Sequence, residues 1–446
     1  MERHAFPADL ADDVAARWGT RVLGVFRRPP LPSREQLRHL LEVAYLASQE
    51  TDEARPIRFT LCCTPVIDAV RRFQQDTEVQ AWNFEAPRAF DVQELRRLAV
   101  TTDIDGGAIW VQVPDAPSDP PRIRGLLNLG QSWAHARDAF AFHYDALPDA
   151  LTIRVDGPGA LSVFQGQLAV ASLVGGKLRE SRFAQESLHG IQPLLEEGQA
   201  HFADRIEGPR HAPDRLVREF EWTAYVNVLM ALLNAIRQRG HGGAVVLAGR
   251  NSRVAAPDTR LIRMKYRLEN PAPHLADHYI QLVNKRCALA DLQWRLEEAD
   301  EAYRKALEPT VPPLNDLRLA YAEVRDANQA LAEACAFVGQ LAGTDGAIVL
   351  RTDLSLLGFG TEIVLEEAAP APVYEVQGLA LSRAELLDSE QFGMRHRSAM
   401  RLCAASPDVA AFVISQDGGA SLTFHHQGRV FVRRNISTTN AGMVFS

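Results

Sequence analysis

The chain has 446 residues, 46% of them hydrophobic and 23% charged, with a formal net charge of -8. This length is too great for one ordinary core and predicts two or three domains, and the composition is that of a soluble globular protein. The negative charge argues against nucleic acid as the main partner. The sequence has no apolar run of membrane-spanning length and no signal-peptide core, so it predicts a cytoplasmic protein without a membrane partner.

Five cysteines form no Cys-x-x-Cys pair and no secreted disulfide framework. They are Cys62, Cys63, Cys287, Cys335 and Cys403. This pattern predicts buried thiols in a reducing cytosol. The adjacent pairs Cys62-Cys63 and His425-His426 have no partners at metal-ligand spacing, so we interpret them as structural.

Residues 1–215 alternate helical and strand patterns, which predicts an N-terminal α/β domain. A capping box at 33–36 begins a helix whose apolar periodicity continues to Leu46. Further patterns predict strands at 58–63 and 107–113, a helix at 92–98, and a hairpin of 151–155 with 160–164. No catalytic constellation emerges from this half.

The C-terminal half begins with a strong helical pattern from about residue 217 to Gly240, followed by a strand at 243–247. The glycine-rich segment 240–243 has two interpretations, a phosphate-binding loop or a helix stop with a tight turn. It lacks the Lys-Ser/Thr pair of a P-loop, which favours the turn.

Residues 275–341 contain two long helical patterns separated by Pro309, Pro312 and Pro313. They predict a helical hairpin inserted into the C-terminal half. The sequence leaves two roles open for it: a dimerisation or signal-relay element, or a packed insertion that covers the flank of the domain.

Three short stretches near the C-terminus carry the chemistry. In the first stretch, 343–350, an acid and a glycine precede an apolar run. In the second, 393–399, two arginines and a histidine precede a helical pattern. The third, 413–419, is a predicted strand that ends in an acid and two glycines. Guanidinium groups hold phosphate, carboxylates hold divalent ions, and glycines let a backbone approach a ligand. The sequence therefore predicts a site for an anionic ligand held with a metal ion.

Two of these stretches, Asp345-Gly346-Ala347 and Gly393-Met394-Arg395-His396-Arg397-Ser398-Ala399, resemble the diadenylate cyclases. Those enzymes join two ATP molecules into the second messenger cyclic di-AMP. Either motif alone is weak evidence, but both in this order form a fairly specific signal. The resemblance implies a mixed-sheet α/β domain at 216–446, with its helical insertion at about 275–341.

A subgroup of that family carries an N-terminal sensor domain of the DACNV type. The stretches Gly358-Phe359-Gly360 and Gln416-Asp417-Gly418-Gly419 fit this subgroup. The resemblance therefore implies that residues 1–215 form a sensor domain, whose ligand the sequence does not name. The predicted fold class is α/β with mixed α+β character: a sensor-like α/β domain followed by a cyclase-like one.

The resemblance also implies a role for each site residue. Asp345 would lie at the attacking ribose hydroxyl, and the catalytic set is Asp345, Arg395, His396 and Arg397. The implied substrate-binding residues are Gly346, Ala347, Gly393, Ser398 and Ser415. Mn²⁺ or Mg²⁺ would be held by Asp345 and Asp417. In the family two domains face each other with one ATP each, so self-association is expected.

Departures from the family pattern leave an alternative function open. The family commonly has Ser-Glu-Glu where this chain has Ser415-Gln416-Asp417, and often a histidine where it has Thr344. Retained arginines with a lost metal carboxylate would suit a non-catalytic sensor of a nucleotide or cyclic dinucleotide. A third hypothesis is the same reaction with another nucleotide, because no residue in the motifs specifies adenine as the base.

The two halves of the chain share an internal similarity. Residues 105–109 echo 345–348, and residues 159–168 echo 419–430, but where an Arg-His-Arg would fall the N-terminal half has only 131–135, Gln-Ser-Trp-Ala-His. The N-terminal half is either a degenerate copy that lost the phosphate-binding residues or an unrelated α/β domain with common hairpin chemistry. The sequence alone favours the second reading.

Overall fold

The computed structural model describes residues 4–18, 31–53, 55–64, 80–102, 106–129, 150–165, 168–180, 188–240, 242–256, 258–304, 314–365, 372–376, 381, 384–415, 419–434 and 436. The chain forms two compact units, and the described residues are 4–180 in the N-terminal unit and 188–436 in the C-terminal unit. The helices are α1 (Pro7–Arg17), α2 (Arg34–Ser48), α3 (Val92–Ala99), α4 (Gln192–Ala200), α5 (Asp214–Gln238), α6 (His274–Arg304), α7 (Leu314–Gln340) and α8 (Met394–Ala405). Each unit contains a mixed sheet, which confirms the predicted α/β class.

The N-terminal unit is built on an eight-stranded sheet in the order β10-β9-β8-β7-β3-β5-β6-β4. Two two-residue strands, β1 (Thr51–Asp52) and β2 (Arg55–Pro56), pair separately. The sheet strands are β3 (Phe59–Thr64), β4 (Gln80–Ala89), β5 (Gly107–Gln112), β6 (Arg122–Asn128), β7 (Leu151–Gly157), β8 (Ala160–Gln165), β9 (Leu168–Val174) and β10 (Lys177–Glu180). The predicted helix start is confirmed, because Ser33 and Gln36 form a reciprocal capping box at the start of α2.

The C-terminal unit is built on a nine-stranded sheet in the order β12-β14-β13-β11-β17-β18-β19-β15-β16. Its strands are β11 (Gly243–Ala248), β12 (Ile262–Ala272), β13 (Ala347–Arg351), β14 (Leu356–Ile363), β15 (Val373–Glu375), β16 (Glu385–Leu387), β17 (Val409–Ile414), β18 (Ala420–His426) and β19 (Arg429–Arg434). Apolar side chains of α8, including Met400 and Cys403, form a buried cluster with β11, β13 and β17. This packing fixes the N-terminus of α8 relative to the strand ends.

The predicted helical hairpin consists of α6 and α7, which pack on each other and on α5. The Tyr279 hydroxyl donates to the Glu221 carbonyl at 3.2 Å, and Arg286 of α6 donates to Asn328 of α7 at 3.1 Å. Along their described parts the two helices bury apolar side chains such as Val283 and Leu331. These contacts show that the insertion packs on α5 of its own unit.

Seven strands of the two sheets share one order and one set of directions. The strands β4-β6-β5-β3-β7-β8-β9 correspond to β12-β14-β13-β11-β17-β18-β19. In each series one central pair is parallel, β3 with β5 or β11 with β13, and the other neighbours are antiparallel. This agreement favours the degenerate copy over two unrelated domains.

Candidate functional site

The sheet of the C-terminal unit brings three of the predicted stretches to one edge. β11 and β13 are parallel and begin at this edge, whereas β17 is antiparallel to β11 and ends there. Gly243 pairs with Ile414, and Ala244 pairs with Ala347. The residues just beyond these pairs, from 242, 345–346 and 415, therefore lie close together.

Asp345 and Arg395 meet at this edge. The Asp345 side chain is fully exposed, and its Oδ1 lies 3.9 Å from Nη2 of Arg395. This distance is too long for a direct hydrogen bond, and an ion pair in such an exposed position stabilises the fold little. The pair therefore places an acid and a guanidinium side by side in solvent, where both can contact a ligand.

Gly242 makes room for Arg395. Its φ is +65°, and a Cβ atom there would lie 3.2 Å from Nη1 of Arg395 and 2.7 Å from the Ile414 carbonyl oxygen. Gly240 follows α5 with φ +70°, as the turn interpretation of residues 240–243 predicts. The contact between Gly242 and Arg395 was not indicated by the sequence.

Gly346 is required by chain packing. Its φ is +125°, and a Cβ atom there would lie 2.5 Å from the Thr361 backbone nitrogen. Ala347 is buried in the apolar cluster that α8 covers. The space beside Gly346 is thus filled by the β14 backbone, although the resemblance implied an approach to the nucleotide.

The Arg-His-Arg motif lies in the first turn of α8, with Gly393 as the N-cap residue. The first N–H groups of a helix have no acceptor within the helix and favour an anion. A Cβ atom on Gly393 would meet no atom within 4 Å, so space does not require a glycine there. His396 contacts the Phe392 ring, with centroids 5.5 Å apart, and Ser398 is partly buried.

Arg397 is held away from Arg395. Its Nη1 donates to Oε2 of Glu390 at 2.9 Å, and Glu390 belongs to the short helical turn 389–391. Side chains two positions apart on a helix point in different directions. The structure therefore brings Arg395 to Asp345 and Arg397 to Glu390. Glu390 lies shortly before the motif and was not predicted as a site residue.

Ser415, which follows β17, is hydrogen-bonded to Gly419. Its backbone N–H and its hydroxyl both donate to the Gly419 carbonyl oxygen, at 2.8 Å and 3.1 Å. The predicted metal ligand Asp417 and its neighbour Gln416 lie outside the described residues. Ser415 is thus next to the strand ends, but its hydroxyl is bonded to the Gly419 carbonyl oxygen.

Among the described residues, the candidate metal ligand is the side chain of Asp345. No group of three or more His, Cys, Asp or Glu residues in the described part of the chain is placed to hold a metal. Asp345 is exposed beside the strand ends. Mg²⁺ is commonly held by one or two carboxylates together with water and substrate phosphates, and Asp345 fits this mode.

An aromatic pair lies on the strands next to this edge. The rings of Tyr266 on β12 and Phe359 on β14 stack with centroids 4.9 Å apart, and Tyr266 is 42% exposed. Gly360, whose carbonyl carbon approaches Gly346, also packs against the Tyr266 ring. The edge thus offers charge from Asp345 and Arg395 and a flat apolar surface nearby.

Residues 27–128 match the family model described as the probable sensor domain DACNV. The match begins before α2 and ends at the last residue of β6, so it covers the strands β3–β6 but not β7–β10. The DACNV match supports the sensor part of the predicted organisation. No curated protein matches the chain. Among the described helices, none combines the length and the apolar character of a membrane-spanning segment.

Proposed function

We propose that the chain is a metal-dependent nucleotidyltransferase of diadenylate cyclase type, which condenses two ATP molecules into cyclic di-AMP in the cytoplasm. Its N-terminal DACNV domain regulates this reaction in response to a ligand. The observation that carries the proposal is the meeting of Asp345 and Arg395, from the two motifs of the resemblance, at one edge of the sheet.

The side chains at this edge suit the reaction. The 3'-oxygen of one ATP forms a bond to the α-phosphorus of the other, the bond from that phosphorus to the bridging oxygen breaks, and pyrophosphate leaves. Asp345 accepts a hydrogen bond from the attacking hydroxyl and so orients it, and the hydroxyl proton passes to water as the new bond forms. Arg395 stabilises the charge that develops on the phosphate. A second transfer with exchanged roles closes the ring. Bound Mn²⁺ or Mg²⁺ would neutralise phosphate charge, with Asp345 and Asp417 as its protein ligands.

One site of this kind presents one set of phosphate-binding residues, so two ATP molecules need two copies of the unit. The proposal therefore includes self-association of the chain with the two sites face to face. Product formation per chain should rise with protein concentration in the range where dimers form. Analytical ultracentrifugation at the same concentrations measures that association.

The test is incubation of the full chain with ATP and Mn²⁺ or Mg²⁺, followed by mass spectrometry of the products. We expect cyclic di-AMP from the unsubstituted chain and a rate at least about 10²-fold lower for Asp345→Asn and Arg395→Ala. Arg401→Ala is the matched control, because Arg401 is an exposed arginine of the same helix, α8. Equal rates for Arg395→Ala and Arg401→Ala would contradict the assigned site.

The second candidate is a non-catalytic sensor of a nucleotide or cyclic dinucleotide. It is favoured by Gln416, an amide where the family has an acid, and by the engagement of Arg397 with Glu390. Binding of ATP or cyclic di-AMP without any product, with binding lost in Arg395→Ala, would select this function. The same incubation therefore separates the two candidates.

A further inference from the structure

The sheets of the two units share an irregularity at the same place. Asn83 and Arg88 of β4 are five residues apart, but the residues of β6 that pair with them are only two residues apart. Likewise, Arg267 and Ala272 of β12 are five residues apart, and their partners on β14 are two residues apart. A bulge of equal size on the same strand pair is a family feature, and its recurrence is unexpected in unrelated sheets.

A glycine stands at each of these bulges. A Cβ atom on Gly125 would lie 2.0 Å from the Trp82 carbonyl oxygen, and one on Gly358 would lie 2.6 Å from the Tyr266 carbonyl oxygen. In both sheets the edge strand therefore presses its backbone against a glycine of the next strand. The two bulges have the same physical cause.

A second shared bulge fixes the correspondence residue by residue. Trp110 and Val111 are neighbours on β5, but their partners on β6 are two residues apart. In the same way, Val349 and Leu350 are neighbours on β13, and their partners on β14 are two residues apart. When the two sheets are aligned at these bulges, Gly-Ala-Ile at 107–109 aligns with Gly-Ala-Ile at 346–348. The registers thus identify the N-terminal unit as a copy of the C-terminal one.

This correspondence shows what replaces the candidate site. Gly106 aligns with Asp345, so at this register position the N-terminal unit has a glycine where the C-terminal unit has a carboxylate. Arg58 falls on Gly242, because each immediately precedes the first residue of the equivalent strands β3 and β11. An arginine therefore stands where the C-terminal unit has a glycine packed against Arg395 and the Ile414 carbonyl oxygen.

Two further charged residues stand at the same edge. The strand registers place Arg154 on Val413 and Asp156 on Ser415. The Arg154 side chain is only 7% exposed, and its Nε donates to Oδ1 of Asp156 at 2.6 Å. A buried guanidinium at a strand end is costly to keep and is retained where it is paired or used.

Arg58 and Arg154 lie on one face of the sheet. Thr60 pairs with Arg154, and Arg58 lies two residues before Thr60, so strand alternation turns both arginines to the same side. Arg58 is exposed at the edge. Among the described residues of this edge, the guanidinium groups of Arg58 and Arg154 stand with one carboxylate, that of Asp156.

We propose that this edge of the N-terminal unit binds a phosphate-bearing nucleotide through Arg58 and Arg154 without transferring its phosphate. Guanidinium groups match phosphate oxygens in geometry and charge. At the register position of Asp345 the described chain has Gly106, which has no side chain to orient a hydroxyl or hold a metal. Arg58 and Gly106 lie within the DACNV match, and a sensor domain needs a ligand. The choice of a nucleotide rests on the proposed function of the C-terminal unit.

The test counts nucleotides bound to the full chain after the C-terminal site is disabled by Arg395→Ala with Arg397→Ala. ATP, GTP and cyclic di-AMP are titrated separately by calorimetry in the presence of EDTA. We expect one bound molecule per chain for at least one of them. Adding Arg58→Glu should weaken this binding at least about tenfold, the size of one lost charge-assisted hydrogen bond. Arg58→Gln is the milder variant if Arg58→Glu lowers the melting temperature.

Arg122→Glu is the matched control, since Arg122 is exposed and pairs with Gln112 at the opposite end of β5. It should leave the binding constant unchanged. Absence of binding in the disabled chain, or equal weakening by Arg58→Glu and Arg122→Glu, would overturn the proposal. Failure of the proposed C-terminal function appears separately, as absence of cyclic product from the unsubstituted chain.

Discussion

Arg395 lies directly against Gly242, with Nη1 of the guanidinium 3.2 Å from the position that a Cβ atom on Gly242 would occupy. The guanidinium that faces Asp345 is thus positioned by the absence of a side chain on the neighbouring loop. The loop before β11 and the first turn of α8 are far apart in sequence, so this contact depends on the sheet.

We predict that Gly242→Ala lowers ATP binding by the C-terminal site at least about tenfold, because the added methyl displaces Arg395. It also strains a backbone with φ +65°. The control is Gly240→Ala, which strains a backbone with φ +70° but would meet no atom within 4 Å. Calorimetry of the two variants separates the effect of the close contacts at position 242, with Arg395 and with the Ile414 carbonyl oxygen, from the effect of a positive φ, and equal losses would contradict the prediction.

Glu390 competes with an anionic ligand for Arg397. We predict that Glu390→Gln lowers the dissociation constant for ATP, measured in EDTA, by about two- to fivefold, the range expected for an exposed ion pair. Glu385→Gln is the control, because Glu385 is exposed on β16. Weaker binding in Glu390→Gln would instead mean that Glu390 positions Arg397 for the ligand.

The sequence predicted the central elements well. The predicted hairpin is formed by β7 and β8, and α5 ends where Gly240 indicated. These elements have strong apolar periodicity or a turn residue with a clear conformational reason. Two long strands, β4 and β12, were missed because each is an edge strand with mostly exposed side chains and a proline.

The candidate site was only partly predictable. Asp345 and Arg395, from the two motifs, meet at one edge of the sheet, but the separation of Arg395 from Arg397 depends on side-chain directions within one helical turn. The internal repeat also required the structure. The sequence echo aligned Gly159 with Gly419, whereas the strand registers place Ala160 on Gly419, a shift of one residue that only pairing can reveal.

All five cysteines are buried, as the sequence predicted. Burial raises the pKa of the Cys62 and Cys403 thiols to about 12. We therefore predict almost no reaction with Ellman's reagent at pH 8 in the folded chain and five reactive thiols after denaturation. A rapidly reacting thiol in the folded chain would contradict this burial.

The same shift predicts how stability changes in alkali. The pKa of a buried thiol in the folded chain is above its value of 9.0 in the unfolded chain. Protonated thiols therefore stabilise the fold fully below pH 9, and this contribution is lost as the pH rises towards the folded value. The melting temperature should fall above about pH 9, and Cys62→Ser together with Cys403→Ser should flatten that fall.

Gly346 separates a structural role from a ligand-binding role. A Cβ atom there would lie 2.5 Å from the Thr361 nitrogen in a backbone with φ +125°, so we predict that Gly346→Ala lowers the free energy of unfolding by about 2–4 kcal/mol. Gly343→Ala is the control, because a Cβ atom on Gly343 would meet no atom within 4 Å. Denaturant unfolding measures both. If Gly346→Ala kept its stability and lost ATP binding, the glycine would serve the nucleotide; loss of stability shows that it serves β14.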